Sequence, residues 1–199
     1  MKTLNSDAEI LKILLKDLTI KPTITSLAKE TKMSRVGIWK ILKKLEIKKL
    51  IILFPVGTGK TSTYNAKLNW DNPLVEKSLV LYLIEDSIKN QRWLNNFLEL
   101  KNKLDFLIIY GSIIHSPKEA NDIDILGVSN KNKFLEVEKS IKKIQKTQIK
   151  KIHIFNFTQA EFKKEIEKPN KIFIEAIKKG VILFGQEKFI KFIKSVNKK

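Results

Sequence analysis

The chain contains no cysteine and only two histidines among its 199 residues. Without cysteine, neither a disulfide framework nor a thiolate zinc site can form. The two histidines, His115 and His153, are too few to build a metal site from imidazole groups alone. These absences exclude disulfide-dense domains and Cys/His zinc modules.

Long apolar runs are also missing. The run "LIILFPV", residues 50–56, is far shorter than the roughly 20 apolar residues that a membrane-spanning helix needs. No cleavable signal segment is recognisable at the start of the chain. We therefore expect a soluble, cytoplasmic protein with no membrane partner, built as one large domain or two small ones.

Acidic residues are scarce relative to basic ones, with 21 against 39 and a net charge of +18. Residues 1–70 carry 14 basic and 5 acidic side chains, whereas the longer part 71–199 carries 25 and 16. Such a surplus favours a polyanionic partner, usually nucleic acid, and its density places that contact in the first third. The alternative is that lysine, isoleucine and asparagine are abundant because the coding genome is AT-rich.

Three helical patterns and two strand patterns follow one another in the first third. "SDAEILKILLKDL" has its apolar residues at helical spacing, and "PTITSLAKETKMS" predicts a short second helix with Leu27 and Ala28 inward. Ser34 is a predicted N-cap for the third helix, whose residues Ile38 and Leu42 should face the core. Two β-like runs then flank a turn containing Gly57 and Gly59, which predicts a hairpin.

This order of elements, over residues 5–68, resembles the winged helix-turn-helix family. The resemblance implies that the helix from Ser34 to Leu45 enters the major groove of double-stranded DNA and that the hairpin tip contacts the backbone. It implies DNA contacts from Ser34, Arg35, Trp39, Lys40, Lys43 and Lys60. For Trp39 we give equal weight to two roles: its ring packs on a sugar of the DNA, or it packs on a neighbouring helix. The alternative use of such a module is protein contact or dimerisation.

Two further helices are predicted after Asp71, in "NWDNPLVEKSLVLYLIEDSIKNQ" and "RWLNNFLELKNKL". The apolar residues of the first cover more than one face, which indicates a helix buried between two bodies or at a dimer contact. We expect a homodimer. The predicted domains are residues 1–70 and residues 71–199, with the connecting helices at the start of the second.

A Gly-Ser pair and an Asp-x-Asp pair lie between predicted strands in the last part. "FLIIY" leads into Gly111 and Ser112, and the alternation of "DIDILGV" places Asp122 and Asp124 on one face. Two neighbouring carboxylates repel each other unless a cation lies between them, and Mg²⁺ takes carboxylate and phosphate oxygens. A glycine allows close approach of the backbone to a phosphate, and a serine at a helix start can donate to it.

These motifs, within roughly residues 97–185, resemble the small, minimal members of the polymerase-beta-like nucleotidyltransferases. The resemblance implies an α/β (α+β) fold with a small mixed sheet flanked by helices. It implies that Gly111 and Ser112 bind a nucleoside triphosphate and that Asp122 and Asp124 are catalytic and hold Mg²⁺ or Mn²⁺. It also implies transfer of a nucleoside monophosphate to a hydroxyl acceptor, with a helical protein partner in some relatives.

The sequence departs from this family at its third carboxylate, which active relatives carry on the next long strand. Here that strand is "IKKIHIFNF", with His153 or Asn156 at the corresponding place. Glu161 is the nearest acid, but "TQAE" predicts a capping box of Thr158 and Glu161. The sequence thus leaves catalysis open. The alternative is a non-catalytic transcriptional regulator whose second domain senses a nucleotide or dimerises.

Overall fold

The computed structural model describes residues 6–18, 22–56, 63–168 and 170–196. The fold is mixed α+β, and the chain divides into two compact units, Met1–Tyr82 and Leu83–Lys199. The division lies inside one helix, and the boundary expected at residues 70 and 71 stays a prediction. The two units are described separately below.

The described residues of the first unit form three helices, an antiparallel strand pair and the start of a fourth helix. The elements are α1 Ser6–Lys16, α2 Ile24–Thr31, α3 Arg35–Ile47, β1 Ile51–Val56, β2 Thr63–Leu68 and α4 Pro73–Lys89. In the strand pair Ile51 lies opposite Leu68 and Val56 opposite Thr63. Residues 57–62, which connect the strands and include Gly57, Gly59 and Lys60, lie outside the described residues.

The core of this unit is aliphatic and follows the predicted helical faces. Ile38, Leu42 and Leu45 of α3 are fully buried, as is Leu27 of α2. The α3 helix begins after Ser34, whose hydroxyl accepts the Gly37 N–H at 3.0 Å. The predicted N-cap and the predicted inward face of α3 are therefore confirmed.

The second unit is built around a four-stranded mixed sheet. Its elements are α5 Gln91–Asn96, β3 Phe106–Tyr110, α6 Ser112–His115, β4 Asp122–Val128, α7 Phe134–Gln145, β5 Lys151–Phe157, α8 Gln159–Glu167, α9 Lys171–Lys179, β6 Val181–Phe184 and α10 Gln186–Val196. The strand order is β5-β4-β3-β6. β3 pairs antiparallel with both β4 and β6, whereas β4 and β5 are parallel.

Helices cover both faces of this sheet. On one face, aliphatic residues of β3 and β4 pack with Trp93, Phe97 and residues of α7 such as Ile141. On the other face, Phe106 makes edge contacts with Phe162 and Phe189, at centroid distances of 5.4 and 5.3 Å. Burial of these side chains supplies the main favourable term in folding.

A glycine is required where β6 meets α10. Gly185 has φ +78°, and a Cβ there would overlap the Asp105 carbonyl and Phe106. The Asp105 carboxylate binds Lys188 Nζ at 2.7 Å and accepts from Gln159 Nε2 at 3.1 Å. This corner therefore joins β3, α8 and α10. Among the described helices, none combines the length and the apolar character that crossing a membrane requires.

Candidate metal centre

The carboxylates of β4 share one face, as the alternation predicted. Asp122 and Asp124 are half-buried, while Ile123 and Ile125 between and after them are buried on the opposite face. Because side chains alternate along a strand, the two acids lie side by side on one face of the sheet.

The parallel neighbour β5 adds a histidine to this pair. Asp124 lies opposite His153 in the β4–β5 register. His153 Nδ1 lies 3.6 Å from Asp122 Oδ2 and 3.5 Å from Asp124 Oδ1. These distances exceed an ordinary hydrogen bond. One ligand atom from each of the three residues falls within 4.8 Å of the others, so the cluster can hold a metal ion.

The Gly-Ser pair lies directly against this cluster. Tyr110 lies opposite Asp124 in the β3–β4 pair, and Gly111 follows with φ +83°. A Cβ at Gly111 would come 3.0 Å from Asp124 Oδ2, so the Asp124 carboxylate would have to move by a few tenths of an ångström. The positive φ favours a glycine here, and the absence of a side chain lets the backbone lie close to the carboxylate. Ser112 starts α6 and is exposed, so its hydroxyl and amide can reach a ligand.

Burial and neighbouring carboxylates raise the pKa values of two groups at this site. Burial raises the pKa of Asp124, the charge of Asp122 raises it further, and His153 partly opposes both. Burial and then the charges of Asp124 and Asp122 raise the pKa of Tyr110 to about 12. The Tyr110 phenol therefore stays neutral at physiological pH and keeps its O–H as a donor.

The loop between α6 and β4 is held in place by backbone contacts. The amides of Glu119 and Ala120 both donate to the Ser116 carbonyl, each at 3.0 Å. Lys150, just before β5, donates from Nζ to the Ala120 carbonyl. Both strands that carry the cluster are thus tied to one loop. His115, at the end of α6, is exposed.

The structure distinguishes the residues considered for the third ligand position. His153 faces the aspartates, whereas Asn156 lies opposite Gly127 on the other face of the sheet, with Oδ1 3.4 Å from the Ser129 hydroxyl. Glu161 forms the predicted capping box, accepting from the Thr158 N–H at 2.8 Å and from its hydroxyl at 2.9 Å. Those two hydrogen bonds lower the pKa of Glu161.

The donor set fits a divalent cation. Two carboxylates suit Mg²⁺ or Mn²⁺, and the imidazole nitrogen of His153 is a better ligand for a transition ion than for Mg²⁺. Spacing within 4.8 Å is compatible with three ligands around one ion. Asp122, Asp124 and His153 are the residues that would hold it.

The residues predicted to contact DNA lie together on α3 and its preceding turn, apart from Lys60. Ser34, Arg35, Lys40 and Lys43 are exposed. Trp39 is half-buried, with its ring 5.2 Å from that of Tyr64 on β2 and with Lys43 Nζ 4.8 Å from its centroid. Its packing partner is thus a strand of the same unit rather than a neighbouring helix. Lys43 also pairs with Glu46 at 2.8 Å.

Sequence reasoning did not anticipate two features of these sites. Nζ atoms of Lys44 and Lys48 lie 3.0 and 3.4 Å from Asp7 Oδ2, so part of the basic charge of α3 is partnered by α1. Tyr110 faces the aspartates, which depends on the register of β3 with β4 and has no local signal in "FLIIY". Comparison with family models, with curated proteins and with solved structures gave no match to the chain.

Proposed function

We propose that the second unit binds a nucleoside triphosphate together with Mg²⁺ or Mn²⁺ and transfers its nucleoside monophosphate to a hydroxyl acceptor. The observation that carries this proposal is the close approach of Gly111 to Asp124, which unites the Gly-Ser pair with the Asp122, Asp124 and His153 cluster. A triphosphate held by the Ser112 hydroxyl and amide would have its oxygens beside the two carboxylates.

In this reaction the acceptor oxygen forms a bond to the α-phosphorus, and the bond from that phosphorus to the β-phosphate oxygen breaks. Pyrophosphate leaves with the electron pair, and the proton of the acceptor hydroxyl passes to solvent water. The bound cation would supply positive charge to the phosphate oxygens. Asp122 and Asp124 would hold that cation, and the neutral Tyr110 hydroxyl is available to donate to an oxygen at the site.

Cation binding is the first test of this site, measured by Mn²⁺ titration with electron paramagnetic resonance. Wild-type protein should bind Mn²⁺, and Asp122→Asn should weaken binding by at least about tenfold, because a charged ligand is removed. Glu187→Gln, an exposed acid on α10, is the matched control and should bind as wild type. Equal Mn²⁺ binding by Asp122→Asn and wild type would contradict the proposal.

Transfer is tested by incubating the protein with each of the four labelled nucleoside triphosphates, a divalent cation, and protein or nucleic-acid acceptors. Label should reach an acceptor in wild type and Glu187→Gln but not in Asp122→Asn. If Asp122→Asn still transfers label, the reaction does not depend on the Asp122 carboxylate and the proposed active site is wrong.

A non-catalytic, nucleotide-sensing regulator is the second candidate function. The observation that favours it is His153, which stands where the resembling family carries a third carboxylate. A protein of this kind would bind triphosphate and cation without transferring label. In that case His153→Asp, which supplies the carboxylate, should gain transfer that wild type lacks. Efficient transfer by wild type that His153→Asp does not increase would reject this candidate.

In both candidates we propose that the first unit is a winged helix that binds double-stranded DNA through α3. The exposed cations Arg35, Lys40 and Lys43 support this assignment, because phosphate contacts supply much of the affinity for DNA. The helix and strand order of this unit is also that of the winged helix-turn-helix family.

DNA binding is tested by fluorescence anisotropy with a duplex library at several salt concentrations. Lys40→Ala/Lys43→Ala should weaken binding and reduce the slope of log affinity against log salt by about 2, since each neutralised phosphate contributes roughly 0.9. Lys139→Ala/Lys142→Ala on α7 removes the same charge from exposed positions and should leave the slope unchanged. An equal weakening in both double variants would indicate non-specific attraction by net charge alone.

A further inference from the structure

The helix α4 exposes a row of large apolar side chains. Leu74, Leu81, Ile84 and Ile88 are 60, 54, 38 and 58% exposed, although each is of a type usually buried. Val75, Leu79 and Leu83 of the same helix are buried. The helix therefore has a second apolar side that the described residues leave open to solvent.

This row has the spacing of a helix-pairing seam. Together with the exposed Lys77, the four apolar residues fall at alternating steps of three and four, and we name this set the α4 stripe: Leu74, Lys77, Leu81, Ile84 and Ile88. A step pattern of three and four keeps all five side chains on one line along a single helix. A contiguous exposed apolar patch of this kind marks an interaction surface.

We propose that the α4 stripe is a homodimer interface, in which α4 packs antiparallel against α4 of a second copy of the chain. The two-fold axis passes between Leu81 and Ile84, so each Leu81 meets Ile84 of the second copy. A two-fold interface presents the same surface on both partners, and about this axis the paired positions of the stripe are Leu81 with Ile84 and Lys77 with Ile88.

Charge selects the antiparallel orientation. In a parallel pair, Lys77 would lie against Lys77 of the second copy within the apolar seam, and like charges there repel. In the antiparallel pair, Lys77 lies beside Ile88 of the second copy and within one helical turn of Glu85 of that copy. Neither Lys77 nor Glu85 has an ion-pair partner among the residues that the structure describes. Both charges can thus pair across the interface.

The oligomeric state is tested by sedimentation equilibrium over a range of concentrations. Wild type should form a reversible dimer, and Leu81→Lys should weaken its association by at least about tenfold, because a charge enters the centre of the seam. Leu135→Lys on α7 is the matched control, since Leu135 is 71% exposed and lies outside the stripe. Circular dichroism verifies that each variant is folded. The proposal is overturned if the wild-type protein stays monomeric. It is also overturned if Leu135→Lys weakens association as much as Leu81→Lys does.

The orientation is tested by cross-linking, for which a chain without cysteine is well suited. A mixture of Lys77→Cys and Ile88→Cys proteins should form disulfide-linked pairs under mild oxidation, whereas neither variant alone should do so. Within one chain these positions are about 16 Å apart along the helix, too far for a disulfide. Efficient cross-linking of Lys77→Cys alone indicates a parallel pair and overturns the proposal, as does the absence of any cross-link in the mixture.

Discussion

The charge of Asp124 costs stability in the folded protein, but the same charge would be needed to bind a cation. It is partly buried, lies beside Asp122, and has His153 Nδ1 3.5 Å away, which offsets only part of the cost of its charge. Binding sites commonly hold such charges at the expense of stability. The sheet keeps Asp124 in place because its neighbours in the strand, Ile123 and Ile125, are anchored in the core.

Replacing this carboxylate should stabilise the protein at neutral pH. Burial and then Asp122 raise the pKa of Asp124 in the folded state, so folding favours the protonated form and ionisation at higher pH costs stability. Asp124→Asn cannot ionise, and we expect a gain on the order of 1 kcal/mol at neutral pH. The gain should disappear below the unfolded-state pKa, where the wild-type acid is protonated in both states.

Urea unfolding in the absence of added divalent cation, from acidic to neutral pH, measures this difference. Glu187→Gln, at an exposed site, should follow wild type at every pH. A variant that is less stable than wild type at neutral pH would mean that the contact with His153 outweighs burial and repulsion.

At the scale of the element, the strands show what sequence could and could not predict. The alternation in "DIDILGV" correctly placed Asp122 and Asp124 on one face, because the side-chain period of a strand is fixed. It could not choose between His153 and Asn156, because that choice depends on the pairing of β5 with β4. A shift of one residue in that pairing would exchange the two faces of β5.

Helix α3 gives the same lesson. Its cap and buried face followed from local pattern and are confirmed. The partnering of Lys44 and Lys48 by Asp7 depends on how α1 packs, and no local pattern in either helix indicates it. Exposed basic residues near the start of α3, such as Arg35 and Lys40, are consequently the better candidates for binding phosphate.

The capping box at the start of α8 makes a contribution to stability that can be measured by substitution of Thr158. The Thr158 hydroxyl accepts the Glu161 N–H at 3.2 Å, and the Glu161 carboxylate accepts from the Thr158 N–H in return. Thr158→Ala removes the hydroxyl and should destabilise the protein by about 1 kcal/mol. Thr158→Ser keeps the hydroxyl and should be destabilised much less. Chemical denaturation of the three proteins makes this comparison, and equal destabilisation in both variants would assign the effect to the methyl group.

At the scale of the whole molecule, the net charge of +18 is itself an energetic feature. Many like charges on a compact chain repel one another, and the repulsion is greater when folding brings them together. Salt weakens this repulsion, because the screening length falls from about 14 Å near 0.05 M to below 10 Å above 0.1 M.

Moderate salt should therefore stabilise the folded chain. Raising NaCl from about 0.05 to about 0.3 M should increase the melting temperature by roughly 2–5 °C, with most of the gain at the lower concentrations. Calorimetry with sodium and choline chlorides should give the same shift if screening is the cause. A melting temperature that falls with salt would show that the ion pairs contribute more than the net repulsion.

The position of β5 at the end of the strand order β5-β4-β3-β6 has a kinetic consequence. A local opening that separates an outer strand leaves the rest of a fold intact and needs no more free energy than complete unfolding. His153 would move with β5 in such an opening, while Asp122 and Asp124 would stay with the central strands. Any local separation of β5 from β4 would therefore take the cluster apart, and a ligand bound to both strands would slow that separation because it binds only the paired state.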